Sequence, residues 1–155
     1  MFRISRRLDY GIQLMIVLAQ ESDNKAQSTA KLAEKLDIPL PFLHQIGHTL
    51  MQVGLIKAQP GPRGGLRLNQ NPQDISVLRI AEALEGQLSV NSCVNCEGSC
   101  PKEPECAQLL LWRDLQQNIT QYLSQVSLAD LVAQQNNLET PLTALRTPQT
   151  VARSR

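Results

Sequence analysis

Aromatic side chains make up only 3% of the sequence, one Trp with two Tyr and two Phe, so aliphatic residues must fill any core. Long apolar runs are also missing. Nothing approaches the roughly 20 apolar residues that a membrane-spanning helix needs, so a soluble protein is expected. The nearest stretch, Leu14 to Ala19 behind Arg3, Arg6 and Arg7, is short and is preceded by Asp9 and Gln13. It imitates a signal peptide only faintly and reads as a buried helix. Charge of one sign is not in excess either: 15 Lys/Arg face 14 Asp/Glu, a net of +1. Residues 1–90 carry ten basic against eight acidic residues and 91–155 five against six, so no strong field draws the chain to nucleic acid or membrane. No paired carboxylates, nucleophile–base set or cofactor fingerprint stands at a useful spacing, and an enzyme is not expected.

Cysteine is absent except in Cys93-Val-Asn-Cys96-Glu-Gly-Ser-Cys100-Pro-Lys-Glu-Pro-Glu-Cys106. Thiolates this close together, separated by small, polar and proline residues, can fold around iron or zinc without a hydrophobic core. Without an export signal they point to a reducing cytoplasm and to ligand thiolates rather than a disulfide framework.

The pattern along the chain is helical at both ends. Ser5 can cap a first helix with Leu8, Ile12, Met15 and Ala19 at helical spacing, and Ser28 a second through Leu36. Asp37-Ile-Pro39 stops the second helix, because the proline ring disfavours helical geometry just before it. Pro41 suits the first turn of a third, whose Leu43, Ile46, Leu50 and Val53 form a core stripe. Gly54 fits a left-handed position just past its end. Leu55–Ala58, a glycine-proline loop and Leu66–Leu68 follow as a hairpin. Helix, turn, helix and hairpin in that order read as a winged helix.

If the third helix buries that stripe, Pro41, His44, Gln45, His48 and Gln52 face a DNA groove. Gln45 is the strongest base reader among them, since its amide can bond two edge atoms of adenine. Arg63 at the wing tip can enter a minor groove, and Arg3, Arg6 and Arg7 can hold phosphates. His44 and His48 stand at i and i+4, but the zinc-protease pattern needs Glu where Gln45 stands. Gly61-Pro-Arg-Gly-Gly65 is not followed by the Lys-Ser/Thr of a P-loop.

Asn69–Pro72 is a turn, and Ile75–Leu84 a fourth helix ended by Gly86. Beyond Cys106, the residues Trp112, Leu115, Ile119, Tyr122, Leu123 and Val126 outline a long helix whose apolar stripe exceeds what one small domain covers. A homodimer built on it is expected. Ser127 caps a short helix through Val132, and the Thr-, Pro- and Arg-containing stretch from Asn137 reads as a disordered tail.

Together, Arg-Leu-Asp9-Tyr10, Leu40-Pro-Phe-Leu-His-Gln-Ile46, Gly54-Leu-Ile56, Gly61-Pro-Arg-Gly-Gly65 and Cys106 six residues before Trp112-Arg-Asp-Leu115 carry a resemblance. The chain resembles the IscR/NsrR/RirA-type winged-helix transcriptional regulators up to its tail. The resemblance implies homodimers on double-stranded operator DNA, with an iron-sulfur cluster held ahead of the dimer helix. Departures are local. IscR-like members complete the ligand set with a His where this chain has Leu109. Their cysteines stand six apart, as Cys100 and Cys106 do, but the next step back is Val94, between Cys93 and Cys96. Two ligand sets are open: all four cysteines, the favoured one, or three with Asp9 of the partner subunit, as in NsrR-like members. Four thiolates suffice for a 2Fe–2S or a 4Fe–4S cluster. Pro41 and His44 replace the Ser and Glu of IscR-like relatives, while Gln45 agrees, so a different operator is expected. Pro60 replaces the wing Arg, leaving Arg63 as the nearest basic residue.

The expected fold is mainly α with a small β-hairpin, a winged helix-turn-helix plus a long dimerisation helix. A DNA-binding domain spans 1–86, a cysteine cluster-binding loop 87–107, a dimerisation region 108–136 and a disordered tail 137–155. The expected metal ligands are Cys93, Cys96, Cys100 and Cys106, with Asp9 of the partner subunit as the alternative, and the expected DNA contacts are Arg3, Arg7, Pro41, His44, Gln45, His48 and Arg63. The expected function is a cytoplasmic regulator whose DNA binding responds to redox state, iron or nitric oxide through the cluster. The competing function is a zinc-stabilised or thiol-switched winged-helix protein without one.

Overall fold

A computed structural model describes residues 4–21, 23–62, 64–95 and 105–137. Helix α1 (Arg6–Ala19) begins where Ser5 Oγ accepts the Leu8 N–H at 3.0 Å, satisfying a donor that the helix itself cannot. It buries Leu14, Met15 and Leu18, while Leu8, Ile12 and Ala19 pack at the margin of the core. Ser28 precedes α2 (Thr29–Leu36), but its side chain makes no capping bond, contrary to expectation. Its carbonyl instead accepts the Leu32 N–H.

The turn after α2 is fixed by Asp37 in a left-handed conformation (φ +53°) and by buried Ile38, whose N–H bonds to the Ala33 carbonyl at 3.0 Å. Helix α3 (Leu40–Gln52) carries Pro41 in its first turn, where a missing N–H costs no bond. Leu43, Ile46 and Leu50 are fully buried, as their spacing predicts. Val53 departs from that prediction and is 41% exposed. The left-handed turn at Gly54 (φ +72°) swings the chain back, and Leu55 takes the buried place with its N–H on the Leu50 carbonyl at 3.0 Å.

Strands β1 (Ile56–Gln59) and β2 (Gly65–Leu68) pair antiparallel in the register Ile56↔Leu68, Lys57↔Arg67, Ala58↔Leu66, Gln59↔Gly65. The wing is moored twice. Gln27 and Leu66 exchange backbone bonds of 2.8 and 2.9 Å, and the Asn69 and Gln70 amides both donate to the Gly54 carbonyl.

A short 3-10 turn (Pro72–Asp74) leads to Ile75, which is extended and fully buried rather than helical. Helix α4 (Val77–Glu85) starts after it, capped by Ser76 and ended by Gly86. A single turn, α5 (Ser92–Asn95), lies where the sequence suggested only loop. Helix α6 (Ala107–Gln125) follows, then α7 (Leu128–Gln135), which runs past Val132 and opens with a reciprocal capping box between Ser127 and Asp130. The α6–α7 corner is tied to the start of α4, because Val77 N–H bonds to the Val126 carbonyl and Leu128 N–H to the Ile75 carbonyl, at 2.9 and 2.8 Å.

One core joins these elements: α1, α3 and α4 pack together, with Leu128 of α7 against them. Burying each Leu or Ile there stabilises the fold by about 1.5–3 kcal/mol relative to exposure. No helix among the described residues is long and apolar enough to cross a membrane. The expected tail beyond Asn137 lies outside the described residues.

Candidate nucleic-acid interface and cysteine segment

Burial of Leu43, Ile46, Gly47 and Leu50 decides which way the rest of α3 points. Pro41, His44, Gln45 and His48 are all exposed, in one row along its outer face. The Gln45 amide makes no hydrogen bond with the described residues, so its donor and acceptor are free for a base edge. The helix is braced from behind by Phe42, whose ring meets Tyr10 of α1 edge-on at 5.7 Å.

Arg7 joins this surface from α1. Its Nη2 donates to Thr49 Oγ1 at 2.9 Å, and the Thr49 hydroxyl donates to the Gln45 carbonyl at 3.1 Å. Arg7, His44, Gln45, His48, Thr49 and Met51 line one shallow groove of about 660 Å3. A basic residue expected to hold phosphate and the residues expected to read bases thus share one surface. Thr49, which links them, was missed from sequence because it falls between the apolar stripe and the outward row. Arg3 and Arg63 lie outside the described residues.

Of the four cysteines, Cys93 and Cys106 are described; Cys96 and Cys100 are not. Cys93 sits half-buried on α5, its thiol donating to Asn91 Oδ1 at 3.2 Å. Cys106 occupies the N-cap of α6. Both thiols are free and neither is sealed in the core, which fits a soft-metal donor set. Among the described residues, no three His, Cys, Asp or Glu side chains could hold a metal ion. Leu109 is 4% exposed and packs inward, so the position where the resemblance implies a ligand histidine is filled by a buried apolar side chain. Asp9 is exposed on α1 and accepts from Gln13 Nε2 at 3.2 Å.

Helix α6 buries only Leu109 fully. Leu110 is 69%, Leu111 57% and Tyr122 42% exposed, and Trp112, Leu115, Ile119 and Leu123 are half-buried.

Residues 4–134 match the Rrf2 family, described as Iron-dependent Transcriptional regulator. The HTH-type transcriptional regulator IscR of Vibrio cholerae is 29% identical over 137 residues, 88% of this chain and 79% of that protein. A putative HTH-type transcriptional regulator of Haemophilus influenzae is 32% identical over 82% of this chain and 84% of its own length. Among solved structures, CymR (YrzC), the global cysteine regulator of B. subtilis, superposes with a TM-score of 0.71 at 28% identity, covering 86% of this chain and 98% of that one. T. potens IscR gives 0.73 at 26% identity, covering 90% and 93%. The winged-helix architecture is common to both, and these relatives are transcriptional regulators rather than enzymes. The chain belongs to the Rrf2 family of DNA-binding transcriptional regulators.

Proposed function

We propose that the protein is a homodimeric regulator that reads operator DNA with α3 and whose binding is modulated at the cysteine segment, where an iron-sulfur cluster is held. The observation that carries the DNA reading is the single groove in which Arg7 and the exposed face of α3 meet. Gln45 reads a base, His44, His48 and Pro41 shape the contact around it, and Arg7 binds backbone phosphate, with Arg3 and Arg63 adding basic contacts. The exposed apolar row of α6 supports pairing with a second copy, because apolar surface of that extent is otherwise left in water.

Cys93 and Cys106 bound the segment, and with Cys96 and Cys100 they provide four thiolates in 14 residues. When bound there, a cluster supplies a centre that oxidant, nitric oxide or iron scarcity can alter. The cysteines hold it, and α6 transmits a change in the segment to the winged domain through the backbone bonds at Val126 and Leu128. Asp9 of the partner subunit is the alternative fourth ligand. The cytoplasm, with both DNA and a reducing environment, suits such a site.

A second reading makes the same cysteines a metal-free thiol switch. It is favoured by two free thiols and by the likeness to CymR, solved in one case as the oxidized form of the Staphylococcus aureus protein (TM-score 0.67, 28% identity). Structural zinc is the third occupant that the thiolates admit. Anaerobic purification with iron, sulfide and zinc analysis separates the three: stoichiometric iron and sulfide with visible absorption support the cluster. Zinc alone, or no metal, supports the other readings.

A further inference from the structure

The strand register of the wing sets two cations face to face. Lys57 on β1 pairs directly with Arg67 on β2, on the face opposite buried Ile56 and Leu68. Like charges directly opposite on an antiparallel pair destabilise it, so this register is unfavourable for the isolated hairpin. Neither side chain meets a carboxylate among the described residues. Arg67 Nε is moreover shut off from solvent without a hydrogen-bond partner among the described residues, and a buried donor left unpaired carries a free-energy cost. The other pair on this face is Gln59 with Gly65, which adds no negative charge.

We propose that Lys57 and Arg67 form a phosphate-binding pair on the outer face of the wing, a contact with duplex DNA distinct from α3 and from the wing tip. The proposal rests on the DNA-binding reading of α3. A phosphate between the two cations removes their repulsion, and a guanidinium that swings out to it gains the bonds that its Nε lacks, in the forked geometry arginine offers to phosphate. Two cations without a carboxylate beside them among the described residues favour a polyanion, and DNA is the polyanion proposed for the adjoining helix, which β1 follows after only Val53, Gly54 and Leu55. The contact carries no base information; it fixes the angle at which the wing lies on the backbone.

The test uses the full chain, a labelled random-sequence duplex and binding isotherms between about 50 and 200 mM salt. Each lost phosphate contact lowers the slope of log K against log salt by about 0.9, so K57T and R67T each reduce it by about that amount and the double variant by about twice that. A variant that also failed to fold would confuse the result, and K57E resolves this. It places opposite charges across the strands, so its thermal midpoint rises while its DNA affinity falls. An unchanged slope in all variants, with wild-type chain binding the duplex, overturns the pair. Loss of affinity in K57E together with a lower thermal midpoint does so as well, since it reports damage to the hairpin. If the wild-type chain binds no duplex at any salt, the DNA-binding reading fails first and the pair falls with it. Binding of a polyglutamate peptide, but not of duplex, by the Lys57–Arg67 face overturns the DNA assignment in favour of an acidic protein partner.

Discussion

Arg7 Nη2 lies 2.9 Å from Thr49 Oγ1, and the same hydroxyl is bonded to the Gln45 carbonyl, so a residue of the first helix is anchored beside the residue of the third that is proposed to read a base. This relationship holds the Arg7 guanidinium, proposed to bind phosphate, close to Gln45. A flexible arginine pays more rotamer entropy on binding than one already held.

Thr49→Val removes the hydroxyl and keeps the shape of the side chain. DNA affinity should fall by several-fold while the fold is retained. Arg7→Ala should lower the salt slope by about 0.9. Because Thr49 acts through Arg7, the double variant should bind no more weakly than Arg7→Ala alone. Fluorescence anisotropy on a double-mutant cycle measures the coupling, and strictly additive losses would separate the two residues.

Gln45→Ala should cost about 1–3 kcal/mol at one base position of the operator, relax preference there and leave the salt slope unchanged. Binding-site selection from a random pool, with wild type and variant in parallel, reads this directly. Equal preference in both would remove Gln45 from the base-reading set.

Gly11 sits where α1 crosses α4. A Cβ there would collide with Leu84 Cδ1, the end of a side chain only 2% exposed that must shift, while Ile46 Cγ2 lies at an ordinary contact distance of 3.7 Å. Gly11→Ala should therefore destabilise the fold by about 1–3 kcal/mol, the usual cost of overpacking, despite the better helix propensity of Ala. Chemical denaturation measures it. Ser127→Ala, which removes one half of the α7 capping box, should cost about 1 kcal/mol.

Much of this was legible in the sequence, for physical reasons that also mark where reading stops. Periodicity placed α1, α3 and α4 because each buries one stripe, and Gly54 and Gly86 marked ends through the backbone conformations that only glycine adopts easily. Val53 misled because periodicity continues past a helix that has already ended; the left-handed turn substitutes Leu55. Ser28 stands at the N-cap position, as its residue type suggests, but its side chain makes no capping bond. Single-turn α5 is too short to carry a period. Non-local relationships left no local mark: the Arg7–Thr49 bond spans 42 positions, and the ties between Ile75–Val77 and Val126–Leu128 join elements far apart in sequence. The row Pro41, His44, Gln45 and His48 was legible because helical geometry alone puts it opposite the buried stripe.

The ligand question turns on Leu109 and Asp9. Replacing any of Cys93, Cys96, Cys100 or Cys106 by Ser should abolish or deplete bound iron if all four ligate, whereas Asp9→Asn should leave it intact. Retention of iron in one cysteine variant, with loss in Asp9→Asn, would instead establish the mixed set. Iron and sulfide per chain after anaerobic purification decide between them.

The central claim is that occupancy of the cysteine segment controls how α3 engages DNA. Its most direct test is operator affinity measured on one anaerobically purified sample before and after removal of bound iron, with iron and sulfide quantified at both stages. The account predicts stoichiometric iron and sulfide at the start and a different affinity after their removal. The same affinity at both stages, or protein without iron and sulfide from the outset, would contradict it.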